Sequence, residues 1–438
     1  MNSSGKKALI ITYYWPPSGG VGVQRWLKFV KYLRHYGWEP VVYTPENPES
    51  HFDDESLFAD IPEGITVIKS KIWEPYNIYK FLTGSRGKKM GIGFASQGKK
   101  KGLIHSLLVW LRGNLLIPDA RRFWVKPSVK LLAKYISENP VDVIITTGPP
   151  QSMHLIGKKL SAKTGTPWVA DFRDPWTKIY FYNELKLGRI AHRINQNLEK
   201  KVVSSADAVV VVSEQMKREF LPLNPKRIEV IANGFDDADL SDNIKFSEKF
   251  TLSHVGTTSP SSNPVALWSA LSKLCVLDSS FKNDLRIHLA GQVDMNVLNS
   301  IDSEGLMDSL ILQEYIPHHE ALEIQRNSHI LLLVLSTSPS AKGIITGKIF
   351  EYLAARKPIV AVGPVDGDLS IMLNKVGAGK MFDYNDVDGI VNQILSYYKG
   401  YKESNFTIVD ANISSYSRRK LTGQLSEILN SLTEKSKI

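Results

Sequence analysis

Short apolar stretches alternate with amphipathic ones, and the alternation runs through the chain twice. In the first run "ALIITYY", "EPVVYTP", "VDVIITTG", "TPWVADF" and "ADAVVVVS" are β-rich and bounded by turn residues. Between them lie helical stretches such as Gln24–Tyr36, with Trp26, Val30 and Leu33 on one face and Gly37 as its stop. Near-continuous apolar strands separated by helices predict a parallel sheet covered on both faces, an α/β fold. "RIEVIANGFDDADL" closes the first run with a strand, Asn-Gly and acids, which reads as a linker near residue 233. The pattern then restarts in "KFTLSHVGT", "LRIHLAG", "SLILQEYI", "SHILLLVLS" and "KPIVAVG". A chain of 438 residues is long for one domain. The expectation is two doubly wound, Rossmann-like domains, 1–232 and 233–414, facing across a cleft between the carboxyl edges of their sheets. The amphipathic helix at about 415–438 is expected to pack back on the first domain.

Cys275 is the one cysteine, so no internal disulfide forms, and a reducing, cytoplasmic compartment is expected. The N-terminal apolar run is short and leads to Pro-Pro, unlike a cleavable signal, and no segment reaches the ~18 apolar residues of a spanning helix. The net charge of +10 is concentrated. Between Gly84 and Lys126 stand Arg86, Lys88, Lys89, Lys99, Lys100, Lys101, Arg112, Arg121, Arg122 and Lys126, against Asp119 as the single acid. The same stretch holds "LIHSLLVWLRGNLLIP" with Trp110. Basic residues beside an apolar, Trp-bearing helix suit an anionic membrane surface, docked through about residues 84–126. The alternative is a solvated loop beside a core helix. Nucleic acid is not an expected partner, since the segment lacks interleaved aromatic platforms.

"WPPSGGVGVQRWLKFVKYL" places glycines where a strand gives way to a helix. Unpaired N–H groups at a helix start attract anions, and glycines permit close approach. Ser18–Gly22 could therefore cradle a phosphate or a polar acceptor, or be a tight βα turn without a ligand. A nicotinamide-binding loop fits less well, because Arg25 stands at the third glycine position and the second strand, "VVYTP", ends without an acid.

"SAKGIITGKIFEYLAARKPIVAVG" carries the most chemistry. A Thr-Gly turn opens a helix from about Lys348 to Ala355. A lysine in the first turn opposes the helix dipole unless an anion is present. Lys348 and Glu351 share a face, so a cation with free amides suits a diphosphate and a carboxylate suits a ribose diol. The alternative is an exposed i,i+3 ion pair. The Asp-x-Asp pairs Asp237/Asp239, Asp366/Asp368 and Asp386/Asp388 read as turn or cap residues, and "HHE" at His318–Glu320 as a structural loop.

"GKIFEYLAARKPIVAV" resembles the nucleotide-sugar motif of family 4 glycosyltransferases, retaining enzymes of GT-B fold. "YYWPPSGGVGVQRWLKFVKYL" resembles their glycine loop, "IANGFD" their interdomain junction, and "HVGTTSPSSNP" the first turn of their donor domain. "TTGPPQSMHLIGKKL" followed by "TPWVADFRDPW" resembles a branch found in bacterial surface-polysaccharide pathways, those of lipopolysaccharide or capsule. The resemblance implies that Glu351 binds the ribose hydroxyls and that Lys348 with Gly347 holds the diphosphate. Gly256 and Thr257 would approach the phosphates, and Tyr315 and Ile316 would flank the base. His154 would hydrogen-bond the donor sugar, giving His154, Lys348 and Glu351 as the catalytic set. Gly19, Gly20, Gly22, Asp171, Arg173 and Asp174 would line the acceptor side. Two departures from the family matter: Gly343 replaces a sugar-contacting glutamate, and Ser259, Ser261 and Ser262 stand where basic residues often grip the diphosphate.

The implied activity is transfer of a sugar from a nucleotide donor to a glycan acceptor, lipid-linked if the basic segment docks on the inner face of the cell membrane. Lys348 and aligned amides would neutralise the leaving diphosphate, so neither a metal nor another cofactor is expected. The rival readings are a GT-B nucleotide-sugar epimerase and a non-catalytic glycan- or lipid-binding protein of the same fold.

Overall fold

A computed structural model describes residues 5–49, 53–74, 103–179, 182–240, 246–314, 316–406 and 412–435. The chain forms two compact units: residues 1–232 with 418–438, and residues 233–417.

The first unit is built on a seven-stranded parallel sheet, β1 (Lys6–Ile11), β2 (Trp38–Pro45), β3 (Thr66–Ser70), β4 (Val143–Gly148), β5 (Trp168–Phe172), β6 (Ala208–Val211) and β7 (Ile228–Val230). The order is β3-β2-β1-β4-β5-β6-β7, so the chain reverses its winding between β1 and β4. Strand periodicity explains why β1 reads as unbroken apolar sequence. Leu9 and Ile11 enter one core with Tyr43, Ile144, Trp168 and Phe172. Ala8 and Ile10 enter the opposite core with Trp26, Leu27, Val30, Val42 and Ile145. The C-terminal helix Arg418–Lys435 completes this second core through Leu421, Leu425, Ile428 and Leu429, beside helix Val21–Leu33. Lys6 Nζ ties it further, donating to Asn430 Oδ1 and Thr433 Oγ1, each at 3.0 Å. Each buried Leu or Ile contributes about 1.5–3 kcal/mol, which holds the helix to residues some 400 positions away.

The second unit carries a six-stranded parallel sheet, β8 (Phe250–Val255), β9 (Leu285–Ala290), β10 (Leu310–Gln313), β11 (Ile330–Val334), β12 (Ile359–Val362) and β13 (Gly379–Phe382). Its order is β10-β9-β8-β11-β12-β13, with the reversal between β8 and β11. Phe250, Leu252, Ile287, Leu289, Leu332, Val360 and Val362 pack with Leu267, Trp268, Leu271 and Leu274 of helix Val265–Leu277. Within the second unit its first and last residues run side by side. Phe235 N donates to Tyr416 O at 3.0 Å, and Ser417 Oγ to Asp237 Oδ2 at 2.8 Å.

Candidate functional site

In the second unit the candidate residues gather at the carboxyl edge of the sheet, at its winding reversal. Gly256 follows β8 with φ +127°, a left-handed conformation that favours glycine. Its bare α-carbon is also a requirement of packing, because a Cβ there would fall on the Lys348 side chain, 2.5 Å from Nζ. Lys348 stands in the first turn of helix Gly347–Ala355, whose Ile349, Phe350, Tyr352 and Leu353 are buried. That leaves Lys348 and Glu351 on the half-buried face. Tyr352 fixes the helix to the strands: its hydroxyl donates to Leu332 O and accepts from Val255 N, both at 3.2 Å.

His254, two residues before Gly256, is buried and its Nδ1 lies 2.9 Å from Leu332 O. A carbonyl only accepts, so Nδ1 carries the proton and Nε2 is an acceptor, 3.2 Å from Lys348 Nζ. Burial, with the nearby Lys348 charge, pushes the His254 imidazole down to about 3, so it is neutral. Burial also lowers the Lys348 ammonium to about 8, against the pull of Glu351. Glu351 Oε2 accepts from Gln325 Nε2 at 3.0 Å. Thr346, the N-cap residue, makes no side-chain cap, and its Oγ1 is buried without a partner. Thr257 is exposed, and Ile316 is half-buried after the edge strand β10. Tyr315 lies outside the described residues. Ser259 and Ser262 form a capping box, which occupies the serines that stand where the family often has basic residues.

In the first unit Gly20 caps helix Val21–Leu33 with φ +105°, while Gly19 and Gly22 are half-buried. The reason for a glycine at 22 is internal. Arg173 Nη1 donates to Gly22 O at 2.5 Å, and a Cβ on Gly22 would collide with that guanidinium. Arg173 also donates to Gly148 O at 3.3 Å and to Pro149 O, so it knots the glycine loop to the ends of β4 and β5. Asp171 is enclosed. Its carboxylate accepts from Arg25 Nη2 at 2.8 Å, Trp26 Nε1 at 2.7 Å and Thr147 Oγ1 at 2.9 Å. Burial would raise this carboxyl, but Arg25, Trp26 and Thr147 outweigh it and hold it below the usual range. Asp174 is half-buried, and burial raises its carboxyl.

His154, on helix Ser152–Thr164, is buried and stacked on Phe172 at 4.2 Å. Its Nδ1 lies 2.9 Å from Thr146 Oγ1, which accepts from Trp168 Nε1 at 2.8 Å. Nδ1 is the one acceptor for the threonine proton among the described residues, and it serves as that only in the tautomer with the ring proton on Nε2. That Nε2 has no partner and points to Gly148, as does the unpartnered Oε1 of Gln151. Burial pushes the imidazole down to about 3, too low for His154 to carry a charge near neutral pH.

Of the basic stretch, Arg86, Lys88, Lys89, Lys99, Lys100 and Lys101 lie outside the described residues. Arg121 is buried and pairs with Glu74 at 2.8 Å. Arg122 and Lys126 are exposed, as are Trp110, Leu115 and Phe123. Among the described residues no helix is long and apolar enough to cross a membrane, and no group of three metal-ligating side chains occurs. The Asp-x-Asp pairs sit in turns and helix starts: Asp237 and Asp239 in a turn capped by Asp236, Asp366 paired with Lys342, and Asp386 capping helix Val387–Lys402.

Residues 94–239 match the model of Glycosyltransferase Family 4. No curated protein matches the chain. Among solved structures, a TarM variant from S. aureus, in complex with fondaparinux, α-GlcNAc-glycerol and UDP, is 9% identical with a TM-score of 0.57, covering 97% of this chain and 100% of its own. The lipopolysaccharide outer core galactosyltransferase WaaB, in its apo form, is 12% identical with a TM-score of 0.56, covering 99% and 100%. A UDP-N-acetylglucosamine 2-epimerase is 10% identical with a TM-score of 0.51, covering 97% and 95%. The chain has the GT-B glycosyltransferase fold. Over residues 94–239 it is glycosyltransferase family 4-like.

Several residues of this GT-B chain were not read from sequence as part of a site. His254 has a faint signal, a histidine at the end of a strand just before a glycine. Gln325 has none, because its partner lies 26 residues on. In the sequence Arg25 stands only as a departure from a glycine motif; its task as the counter-ion of Asp171 needs the fold to bring residues 146 apart together.

Proposed function

We propose that this protein is a retaining glycosyltransferase that moves a sugar from a nucleotide-sugar donor to a lipid-linked glycan in bacterial surface-polysaccharide synthesis. The observation that carries the reading is Lys348, laid across bare Gly256 with its ammonium at the start of a helix and Glu351 one turn on. Breaking a sugar–phosphate bond leaves negative charge on the diphosphate. A lysine and unpaired amides at that point stabilise it without a metal, and more strongly in the departing state than in the bound donor. Glu351 takes the ribose hydroxyls. In the first unit the His154 Nε2–H is a neutral donor suited to a sugar oxygen, not a base. The acceptor hydroxyl enters on the side the phosphate leaves, which retains configuration.

Docking on the inner membrane face rests on the basic sequence of residues 84–126 and on exposed Trp110, Leu115 and Phe123. Converting Lys88, Lys89, Lys99, Lys100 and Lys101 to Glu is expected to weaken binding to anionic vesicles; unchanged binding removes this part of the reading. The activity itself is tested by thermal-shift screening against UDP-, GDP- and CMP-sugars, followed by transfer assays of Glu351→Ala. Donor binding and transfer that survive Glu351→Ala would overturn the donor site.

A second reading, epimerisation of the donor, is supported by the likeness of the fold to UDP-N-acetylglucosamine 2-epimerases, while Gly343, at the position of the family's sugar-contacting glutamate, favours a non-catalytic binding protein. Conversion of donor incubated without acceptor would identify an epimerase.

A further inference from the structure

We propose that Gln325 is a positioning residue that makes the donor site select ribonucleoside over 2′-deoxyribonucleoside diphosphates by fixing the Glu351 carboxylate. The inference rests on Glu351 as the ribose-binding group.

Gln325 lies on helix His318–Asn327 and is 1% exposed. Its Nε2 donates to Glu351 Oε2 at 3.0 Å, the one hydrogen bond that Glu351 accepts among the described residues. Its own Oε1 is enclosed without a partner. An enclosed amide oxygen with no donor is destabilising, and a leucine or methionine of similar volume would serve the packing better. The helix does not need the amide to hold its place. Arg326 Nη2 donates to Asp239 O at 2.7 Å, and Ser328 Oγ, just past the helix, donates to Ser253 Oγ at 2.6 Å. What the buried amide does accomplish is to fix one oxygen of a half-buried carboxylate.

That constraint has a chemical consequence. Glu351 ends a flexible side chain, and a carboxylate grips a vicinal diol only when its plane lies along the two hydroxyls. With Oε2 held, the carboxylate plane is set before the ligand arrives, and Oε1 remains open to a hydroxyl. A ribose offers one hydroxyl to Oε1 and one to the second lone pair of Oε2, whereas a 2′-deoxyribose fills only one of these and leaves the other acceptor position desolvated and unpaired. A site built to accept a hydrogen bond discriminates strongly against a ligand that lacks it. Without Gln325 the carboxylate turns to whichever hydroxyl is present, and the two sugars bind alike.

The test is calorimetric titration of the full chain with UDP, GDP and their 2′-deoxy forms, for the native protein, Gln325→Leu and Gln325→Met. The native protein is expected to bind the ribo form of the preferred base at least about tenfold tighter than its deoxy counterpart. In Gln325→Leu the ratio is expected to fall to about threefold or less, with a thermal midpoint equal to or above native. Gln325→Met supplies the same reading should the leucine fail to fold. A native-like ratio in either folded variant overturns the proposal. A native protein that binds both forms equally overturns the ribose role of Glu351 along with it, and failure to bind any of the four overturns the donor site.

Discussion

Arg25 Nη2 lies 2.8 Å from Asp171 Oδ1, and each side chain is 1% exposed. Arg25 also donates to Ala232 O at 2.7 Å, the last residue of the first unit before the chain crosses to the second. One buried guanidinium therefore joins the glycine-loop helix, the end of β5 and the exit of the chain. Its 4.9 Å approach to the Phe29 ring adds a cation–π contact in a desolvated setting.

Removing one member of such a pair leaves the other charge buried and unmatched. Asp171→Ala is expected to destabilise the first unit by about 3–5 kcal/mol. Urea unfolding followed by tryptophan fluorescence reads this directly, since every tryptophan but Trp268 belongs to that unit. A transition within about 0.5 kcal/mol of native would show that the pair contributes little to folding.

The same pair shows where sequence reading succeeds and where it stops. β1 is legible because Ala8, Leu9, Ile10 and Ile11 are all buried, on alternating faces, so the sequence is apolar without interruption. The helix ending near Gly37 is legible because Gly37 adopts φ +77° at its stop. β3 and β13 are edge strands, and "TVIKS" and "GKMF" carry too few buried residues for a periodic signal. Lys348 and Glu351 stand out locally because their spacing and the Thr-Gly turn lie in one short segment. Asp171, by contrast, reads as an acid after a strand, the usual place for a site residue. Only the fold reveals that Arg25, Trp26 and Thr147 take up its carboxylate. Long-range partners leave no local trace.

Three buried neutral histidines make the fold sensitive to acid. Burial pushes His154 and His254 down to about 3 and His329 to about 4, from about 6.5 when unfolded. Between those values the unfolded chain binds more protons, so stability is present above pH 6.5 and is lost as pH falls toward 3. At pH 5 each histidine is expected to cost about 2 kcal/mol. Chemical denaturation from pH 7.5 to 5 should show that loss, and His154→Phe should reduce its slope by about one proton. A slope unaffected by His154→Phe would contradict the neutral assignment.

Lys348 titrates in the opposite window. Its folded value of about 8 lies below the unfolded 10.5, so the unfolded chain binds the extra proton between them and stability rises with pH across that range. Lys348→Met is expected to raise stability at pH 7 by up to about 3 kcal/mol, with the gain shrinking toward pH 10. The same variant is expected to weaken nucleotide-diphosphate binding at least about tenfold. Stability and binding moving in opposite directions would mark a residue kept for its ligand. A variant that lost both would mark Lys348 as structural.

Gly256→Ala tests the approach of Lys348 to the β8 turn without touching either charged group. The new methyl would lie on the Lys348 side chain, and the backbone at φ +127° is strained for alanine. The lysine is the movable partner, so it is expected to swing away from His254, relieving its burial and returning its ammonium toward 10.5. Diphosphate binding should then weaken about tenfold, as in Lys348→Met, while the stability gain of that variant is absent because the backbone strain offsets it. Combining the two substitutions separates the effects: if Gly256 acts through Lys348, the double variant binds no more weakly than Lys348→Met alone. Additive losses would mean that Gly256 meets the ligand through its own backbone, and the donor site would then have two independent contacts at this turn.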